Sequence, residues 1–278
     1  MNAPAHAEDA SPLLLVEKHV LGEGAGSLAL VTFNRGDKMN PMDWAMAREM
    51  RRVFDELAQD DDVRVVGITG SGRAFSAGGD MKKYQKLQRE STDFPHFLAD
   101  IHETFQRIAT YTKPYVALVN GIAVAGGIEL ILSCDLVICA ESARIGDAHL
   151  NFGQMGGGGV LTMLPRIIGP MRARELIFSG RLLEPKEALE FGLVNQIVPD
   201  GELLDAALKF AREVGKKSPL AVANAKQVLN AGLNEGTGVQ AAFRLEREMT
   251  ARYCLTSTDA HEGLEAFVTK RQPKFTGR

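Results

Sequence analysis

One carboxylate, Glu129, stands in the middle of the apolar and glycine-rich stretch Asn120 to Asp135, NGIAVAGGIELILSCD. An acidic side chain is seldom buried unless it is paired or used in chemistry. Gly126 and Gly127 precede it where a strand exit turns into a helix, and amides at such a terminus have no intrahelical partner. They lie at the positive end of the helix dipole, which suits a negative charge developing on a carbonyl oxygen. Glu129 follows Gly126 by three residues, so a helix puts both on one face. An oxyanion donor and a proton-transfer carboxylate would then share one pocket. The alternative is a partly exposed first-turn acid that only complements the dipole, and the stretch by itself leaves both open.

Three further groups have the right types for chemistry. The loop Gly70 to Asp80, GSGRAFSAGGD, follows a strand, the position where parallel sheets bind ligands. Gly78 and Gly79 let a backbone amide approach a ligand closely, and Asp80, Lys82 and Lys83 follow at once. Read alone, the loop is equally a plain strand-to-helix connection; the pattern of a Walker loop is absent. His149, with Asp147 two residues before it, lies in a run ending in four glycines, Gly156 to Gly159. It is either a proton carrier or a satisfied structural histidine. His102 borders the apolar face of a helix, where a boundary role is the commoner one.

The elements that must position these groups follow from periodicity. Leu13–Val20 and Ser27–Asn34 read as a hairpin around GEGAG. A helix is expected from Asn40-Pro41, with Trp44, Ala47, Met50, Val53, Phe54 and Leu57 at helical spacing. Buried strands are expected over Val63–Thr69, Pro114–Val119, Leu136–Ala140 and Leu193–Val198. Phe97, Ile101, Phe105 and Ile108 mark one face of a helix over Phe94–Ala109. A helix is expected over Ile128–Ser133, and helix and turn over Pro165–Gly169 and Met171–Gly180. Arg144–Gly159 reads as loop. From Glu202 onward everything reads as helix, its apolar stripes made for packing on the main domain or another subunit.

The 278 residues carry a formal net charge of -3 and 45% hydrophobic residues, an ordinary globular balance without a nucleic-acid footprint. No apolar run reaches the roughly 20 residues of a membrane span. Residues 1–12 read as a disordered tail and not as a signal or transit peptide. Cys134, Cys139 and Cys254 form no CxxC pair and read as reduced, mostly buried thiols of a cytoplasmic protein.

Several separated motifs carry a resemblance that covers roughly residues 13–275. They are RAFSAGGDM, KPYVALVNGIAVAGGIELILSCDLVICAESARIG, GGGGVLTMLPRIIG, SGRLLEPKEALEFGLVNQIVP and EGLEAFVTKR. With these, the chain resembles the crotonase (enoyl-CoA hydratase/isomerase) superfamily. The resemblance implies an α/β fold, a crotonase-like spiral of ββα units. The core with its acyl-CoA site would span 13–200 and a helical C-terminal trimerisation region 201–278. It implies a homotrimer or dimer of trimers, no metal, and no cofactor beyond the coenzyme A of the substrate itself. Gly79 and Gly126 fall where family members place the two oxyanion-hole amides. Arg73, Ala74 and Phe75 fall along the bound coenzyme, and Phe267 and Lys270 match residues that help hold its nucleotide end.

The family's hydratases use two glutamates. Glu129 matches the first, and His149 stands where the second falls. Gly157 offers no carboxylate where some isomerases and dehalogenases carry one, and His102 falls near a position from which some relatives project a catalytic histidine. The expected activity is hydration of the α,β double bond of an enoyl-CoA, with a branched, cyclic or aromatic-derived acyl group rather than a straight chain. Glu129 and His149 would form the acid–base pair, since a histidine exchanges protons near neutral pH. The alternatives are hydrolysis, carbon–carbon bond cleavage or isomerisation at the same thioester site, and a non-catalytic acyl-CoA- or RNA-binding relative.

Overall fold

Two parallel sheets, wound by one repeating path of the chain, set where every loop ends. The computed structural model describes residues 11–233 and 236–278. The first ten residues of the expected tail lie outside the described residues. β1 (Leu14–Val20) and β2 (Ser27–Phe33) form the antiparallel hairpin, and α1 (Trp44–Gln59) follows. Then come β3 (Val63–Gly70), β4 (Ala74–Ser76), α2 (Met81–Leu87) and α3 (Asp93–Thr110). The next turn is β5 (Tyr115–Val119), β6 (Ile122–Val124) and α4 (Gly126–Ser133). β7 (Leu136–Ala140), β8 (Arg144–Gly146), α5 (Val160–Ile168), α6 (Pro170–Ser179), α7 (Pro185–Glu190) and β9 (Gln196–Val198) complete the core.

The large sheet has the order β1-β2-β3-β5-β7-β9 and the small one β4-β6-β8. Apart from the hairpin, all their pairings are parallel. Each turn therefore lays a long strand in the first sheet, a short strand in the second, and then a helix. This is the expected ββα repeat. The short strands explain two departures from the sequence reading: Gly70–Asp80 is not all loop, and neither is Arg144–Gly159. Three-residue strands carry too few positions to show an alternation.

α1 begins four residues later than Asn40, because the Asp43 side chain accepts from the Met46 amide and caps it there. Asn40 instead takes a left-handed conformation (φ 53°), and its buried amide donates to the Ala74 carbonyl at 2.8 Å. α5 begins at Val160, ahead of Pro165. Val160, Leu164 and Ile168 fall on one buried face, a pattern obscured in the sequence by the preceding glycines.

α8 (Leu203–Gly215) covers the second face of the large sheet. α9 (Pro219–Leu233), α10 (Val239–Thr256) and α11 (Thr258–Val268) follow. α9 is pinned to the core by the buried Lys226. Its Nζ donates to the Ile108 and Lys113 carbonyls at 2.9 Å each and to Asp135 Oδ2 at 2.7 Å. All three cysteines are free; Cys139 is buried, but Cys254 on α10 is exposed, contrary to the expectation of mostly buried thiols.

Candidate active site

The two glycine loops meet. Met42 donates from its amide to the Gly78 carbonyl at 2.8 Å, and Gly79 bridges Met42 in parallel register. Gly78 has φ +86°, and a Cβ there would stand 2.6 Å from the Ala125 Cβ and 3.2 Å from the Gly126 nitrogen. Only glycine allows this approach. Among the described residues, neither the Gly79 nor the Gly126 amide donates to a protein acceptor. Gly126 is the first residue of α4, so its amide is free by position.

Ala125, just before it, is held at φ 51°, ψ -118°. That conformation is costly for a residue with a Cβ, and strain of this kind collects at functional sites. The Gly79 side is tied down by charge. Arg35 reaches both Asp43 (2.9 Å) and Asp80 (3.4 Å), the capping residues of α1 and α2. Lys83 joins Asp43 at 2.8 Å. Burial pushes the Asp43 carboxyl up, but Lys83 and Arg35 outweigh it and hold Asp43 below its ordinary value.

Glu129 lies in the first turn of α4 and is 4% exposed, so the partly exposed alternative falls. Its Oε1 accepts from the Gly158 amide at 2.7 Å and the Val160 amide at 3.4 Å. These amides belong to the N-terminal end of α5, whose dipole favours the carboxylate. Burial nevertheless dominates and raises the Glu129 pKa above its ordinary value. A Cβ on Gly158 would stand 2.6 Å from Oε2 and 2.9 Å from Phe105. The run of four glycines thus leaves room for one acid.

His149 opens a 3-10 turn, His149–Phe152, after β8. Its Nδ1 lies 2.6 Å from Asp147 Oδ1, and Asp147 is 1% exposed. Burial alone would lower the imidazole pKa; the hydrogen bond it makes to the Asp147 carboxylate and the charges of Glu129 and Asp147 raise it above the ordinary value. A Cβ on Gly156 would sit 3.0 Å from Glu129 Oε1 and 3.4 Å from His149 Nδ1, so both side chains border one backbone position. The structure therefore brings Glu129 and His149 together, 20 positions apart in the chain. Asp147 is the group the sequence reading left without a role. Its signal was there: a residue two before a histidine, just past a short strand.

His102 is half-buried on α3, one turn from both Leu98 and Phe105, which wall the glycine run. Its ring takes part in no hydrogen bond or ion pair among the described residues. Arg73 is exposed, whereas Ala74 and Phe75 are fully buried, Phe75 edge-on to Phe33 at 6.0 Å. Neither of those two residues exposes surface, and the Ala74 carbonyl is already taken by Asn40. Phe267, 84% exposed, and the exposed Lys270 stand at the end of α11. Among the described residues no cluster of three or more His, Cys, Asp or Glu side chains is placed to hold a metal ion.

Beside Gly79 opens a cavity of about 330 Å³ that includes Met42, Trp44, Tyr84, Leu87 and Phe97 in its wall. Tyr84 meets Phe94 and Phe97 edge to face (5.3 and 6.2 Å), and Phe97 meets Trp44 at 6.1 Å. Burial, with a smaller contribution from the Glu129 charge, raises the Tyr84 hydroxyl pKa above its ordinary value. α1, α2 and α3 all contribute to this wall, so sequence alone gave no sign of it.

With loops, acid and cavity in this arrangement, the comparisons with known proteins agree. A family model described as enoyl-CoA hydratase/isomerase matches residues 23–278, and the chain belongs to that family. It is 32% identical to the short-chain-enoyl-CoA hydratase of Clostridium acetobutylicum over 91% of this chain and 96% of that one. It is 33% identical to the 2,3-dehydroadipyl-CoA hydratase of Escherichia coli over 90% and 95%. The crystal structure of an enoyl-CoA hydratase from Bacillus anthracis superposes with a TM-score of 0.87 at 31% identity. It covers 96% of this chain and 100% of that chain. The protein is an enzyme of the enoyl-CoA hydratase/isomerase family with the crotonase fold.

Proposed function

We propose that the protein adds water across the α,β double bond of an acyl-CoA thioester. The Gly79 and Gly126 amides would hold the thioester oxygen as it becomes enolate-like. Glu129 and His149 would handle the two protons: one leaves the attacking water as its oxygen bonds Cβ, and one is delivered to Cα. The observation that carries this reading is the buried Glu129 at the head of α4, three residues past the free Gly126 amide and beside His149. The exposed Arg73, Phe267 and Lys270 are the proposed coenzyme contacts, with the buried Ala74 and Phe75 packed behind Arg73; His102 is at most an accessory at the edge of the acyl site.

The cavity beside Gly79 has a charged rim, Asp43, Asp80, Lys83, Lys86 and Glu90, and an aromatic side, Trp44, Tyr84 and Phe97; the aromatic side supports a cyclic or aromatic-derived acyl group over a short straight chain. Rings favour edge-to-face neighbours, each worth about 0.5–1.5 kcal/mol beyond burial. The exposed apolar side chains Leu229, Leu233, Phe243, Leu255, Leu264 and Phe267 support a homotrimer or dimer of trimers built through the C-terminal helices. Three free cysteines suit a reducing cytoplasm.

The test is loss of enoyl absorbance with crotonyl-CoA and with a phenyl-substituted enoyl-CoA, the product identified by mass. Glu129→Gln should stop turnover while coenzyme A binding persists. Full activity in that variant, or free coenzyme A as the product, would overturn the reading. Light scattering of the purified protein checks the assembly.

A further inference from the structure

Asp147 is buried, yet its carboxylate makes one side-chain hydrogen bond among the described residues, to His149 Nδ1 at 2.6 Å. A buried carboxylate needs a compensating charge, because an unpaired one is costly to desolvate. Here the available cation is the imidazolium of His149. With Nδ1 occupied by Asp147, the tautomer is fixed and Nε2 is the ring nitrogen left to meet a ligand. Glu129 Oε1 and His149 Nδ1 both border the Gly156 position, 3.0 and 3.4 Å from where a Cβ would stand. Glu129 Oε1 takes the two amide hydrogen bonds, and its Oε2 takes none among the described residues.

We propose that Asp147 is a positioning residue that holds His149 as an imidazolium with Nε2–H toward the acyl group, making His149 the proton donor and Glu129 the base. This assignment rests on the hydration reading above. Its physical basis is charge balance. An isolated imidazolium would add a full positive charge beside the thioester, and a neutral imidazole would have no proton of the right acidity to give. Asp147 carboxylate and His149 imidazolium together are neutral and carry one transferable proton. They act as a two-residue carboxylic acid. In the forward step, Glu129 takes a proton from water as the water oxygen bonds Cβ, and the π electrons move to Cα and the thioester oxygen. The enolate carbon then takes the Nε2 proton. Proton return from Glu129 to His149 resets the site, and the sum is addition of one water.

The groups that face His149 are few. Asp147 comes from its own segment and Glu129 from α4. α3 presents Leu98 and Phe105 to the adjoining glycines. α6 packs on the turn, but its charges are turned elsewhere: Arg172 over Phe191, Arg174 on Met171 and Glu175 with Arg181. The imidazole therefore answers to two carboxylates of which only Asp147 is hydrogen-bonded to it.

The experiment compares wild type and Asp147→Asn by kcat and KM across pH, and by ¹⁵N NMR of the His149 ring, assigned with His149→Gln. The expected result is a kcat loss of about 100-fold or more in Asp147→Asn, with KM changed little. The alkaline limb of the kcat profile and the ring titration should move together to lower pH. An unchanged kcat or an unmoved ring titration overturns the proposal. If Asp147→Asn does not fold, wild type alone decides: the ring must titrate above an ordinary histidine and show a far-downfield Nδ1 proton, and a ring titrating at or below the ordinary value sinks the idea. Ring behaviour as expected without hydration of any enoyl-CoA would leave the dyad standing and remove the hydratase reading.

Discussion

The Gly158 amide donates to Glu129 Oε1 at 2.7 Å, and the space a Gly158 side chain would need is already taken by Glu129 Oε2, 2.6 Å from the Cβ position. One residue thus orients the acid and is forbidden any bulk by it. Gly158→Ala should therefore push the carboxylate out of place. The expected outcome is a fall in kcat of about 100-fold, the scale of a misplaced catalytic group. Phe105, 2.9 Å from the same point, gives no relief. Steady-state kinetics with circular dichroism checks it; wild-type turnover in a folded variant would contradict it.

Glu129 also sets a pH dependence of stability. Burial raises its pKa in the folded chain above the ordinary 4.5. A raised pKa means that its contribution to stability is complete below about 4.5 and is lost as pH rises through the folded value. Glu129→Gln removes the charge that is costly above that point. The variant should match wild type near pH 4.5 and melt at a progressively higher temperature as pH rises. Melting curves from pH 4.5 to 8 decide it, and a gain largest at the acid end would reverse the sign argued here.

Ala125 at φ 51°, ψ -118° predicts a stabilising substitution. Relief of a strained non-glycine conformation is worth about 1–3 kcal/mol, and glycine gives back about 0.4–1 of that through the unfolded chain. Ala125→Gly should therefore gain about 1 kcal/mol in chemical denaturation. Because Ala125 orients the Gly126 amide, a drop in kcat with unchanged KM is expected alongside.

Lys226 ties α9 to the core through two carbonyls and Asp135. Lys226→Ala leaves those acceptors and the Asp135 carboxylate without their donor. Breaking a buried pair costs about 3–5 kcal/mol; Asp135 also accepts from the Tyr115 amide and is 25% exposed, so the lower end applies. Urea denaturation measures it. A loss under 1 kcal/mol would show that the pin is dispensable.

The chain by itself determined the parts that depend on local order. Apolar periodicity marked α3 through Phe97, Ile101, Phe105 and Ile108, and all four are buried. β-branched runs marked β3, β5 and β7. The odd placement of Glu129 among glycines and aliphatics marked the acid, because an uncompensated charge in such a stretch has few explanations. Family motifs spaced along the whole chain marked the ββα spiral.

What the tertiary structure alone decided are the relations between turns of the spiral. Gly78 touches Ala125 and Gly126, which lie in different turns and pack through backbone rather than side chains, so no residue pattern announces the contact. The amides of Gly158 and Val160 hold Glu129 through main-chain atoms common to every sequence. Asp147 and His149 are near neighbours in sequence, but only the fold buries that carboxylate and sets it 2.6 Å from the ring Nδ1. The aromatic wall beside Gly79 draws on three separate helices, and side chains that meet across elements leave no spacing for a linear reading to detect.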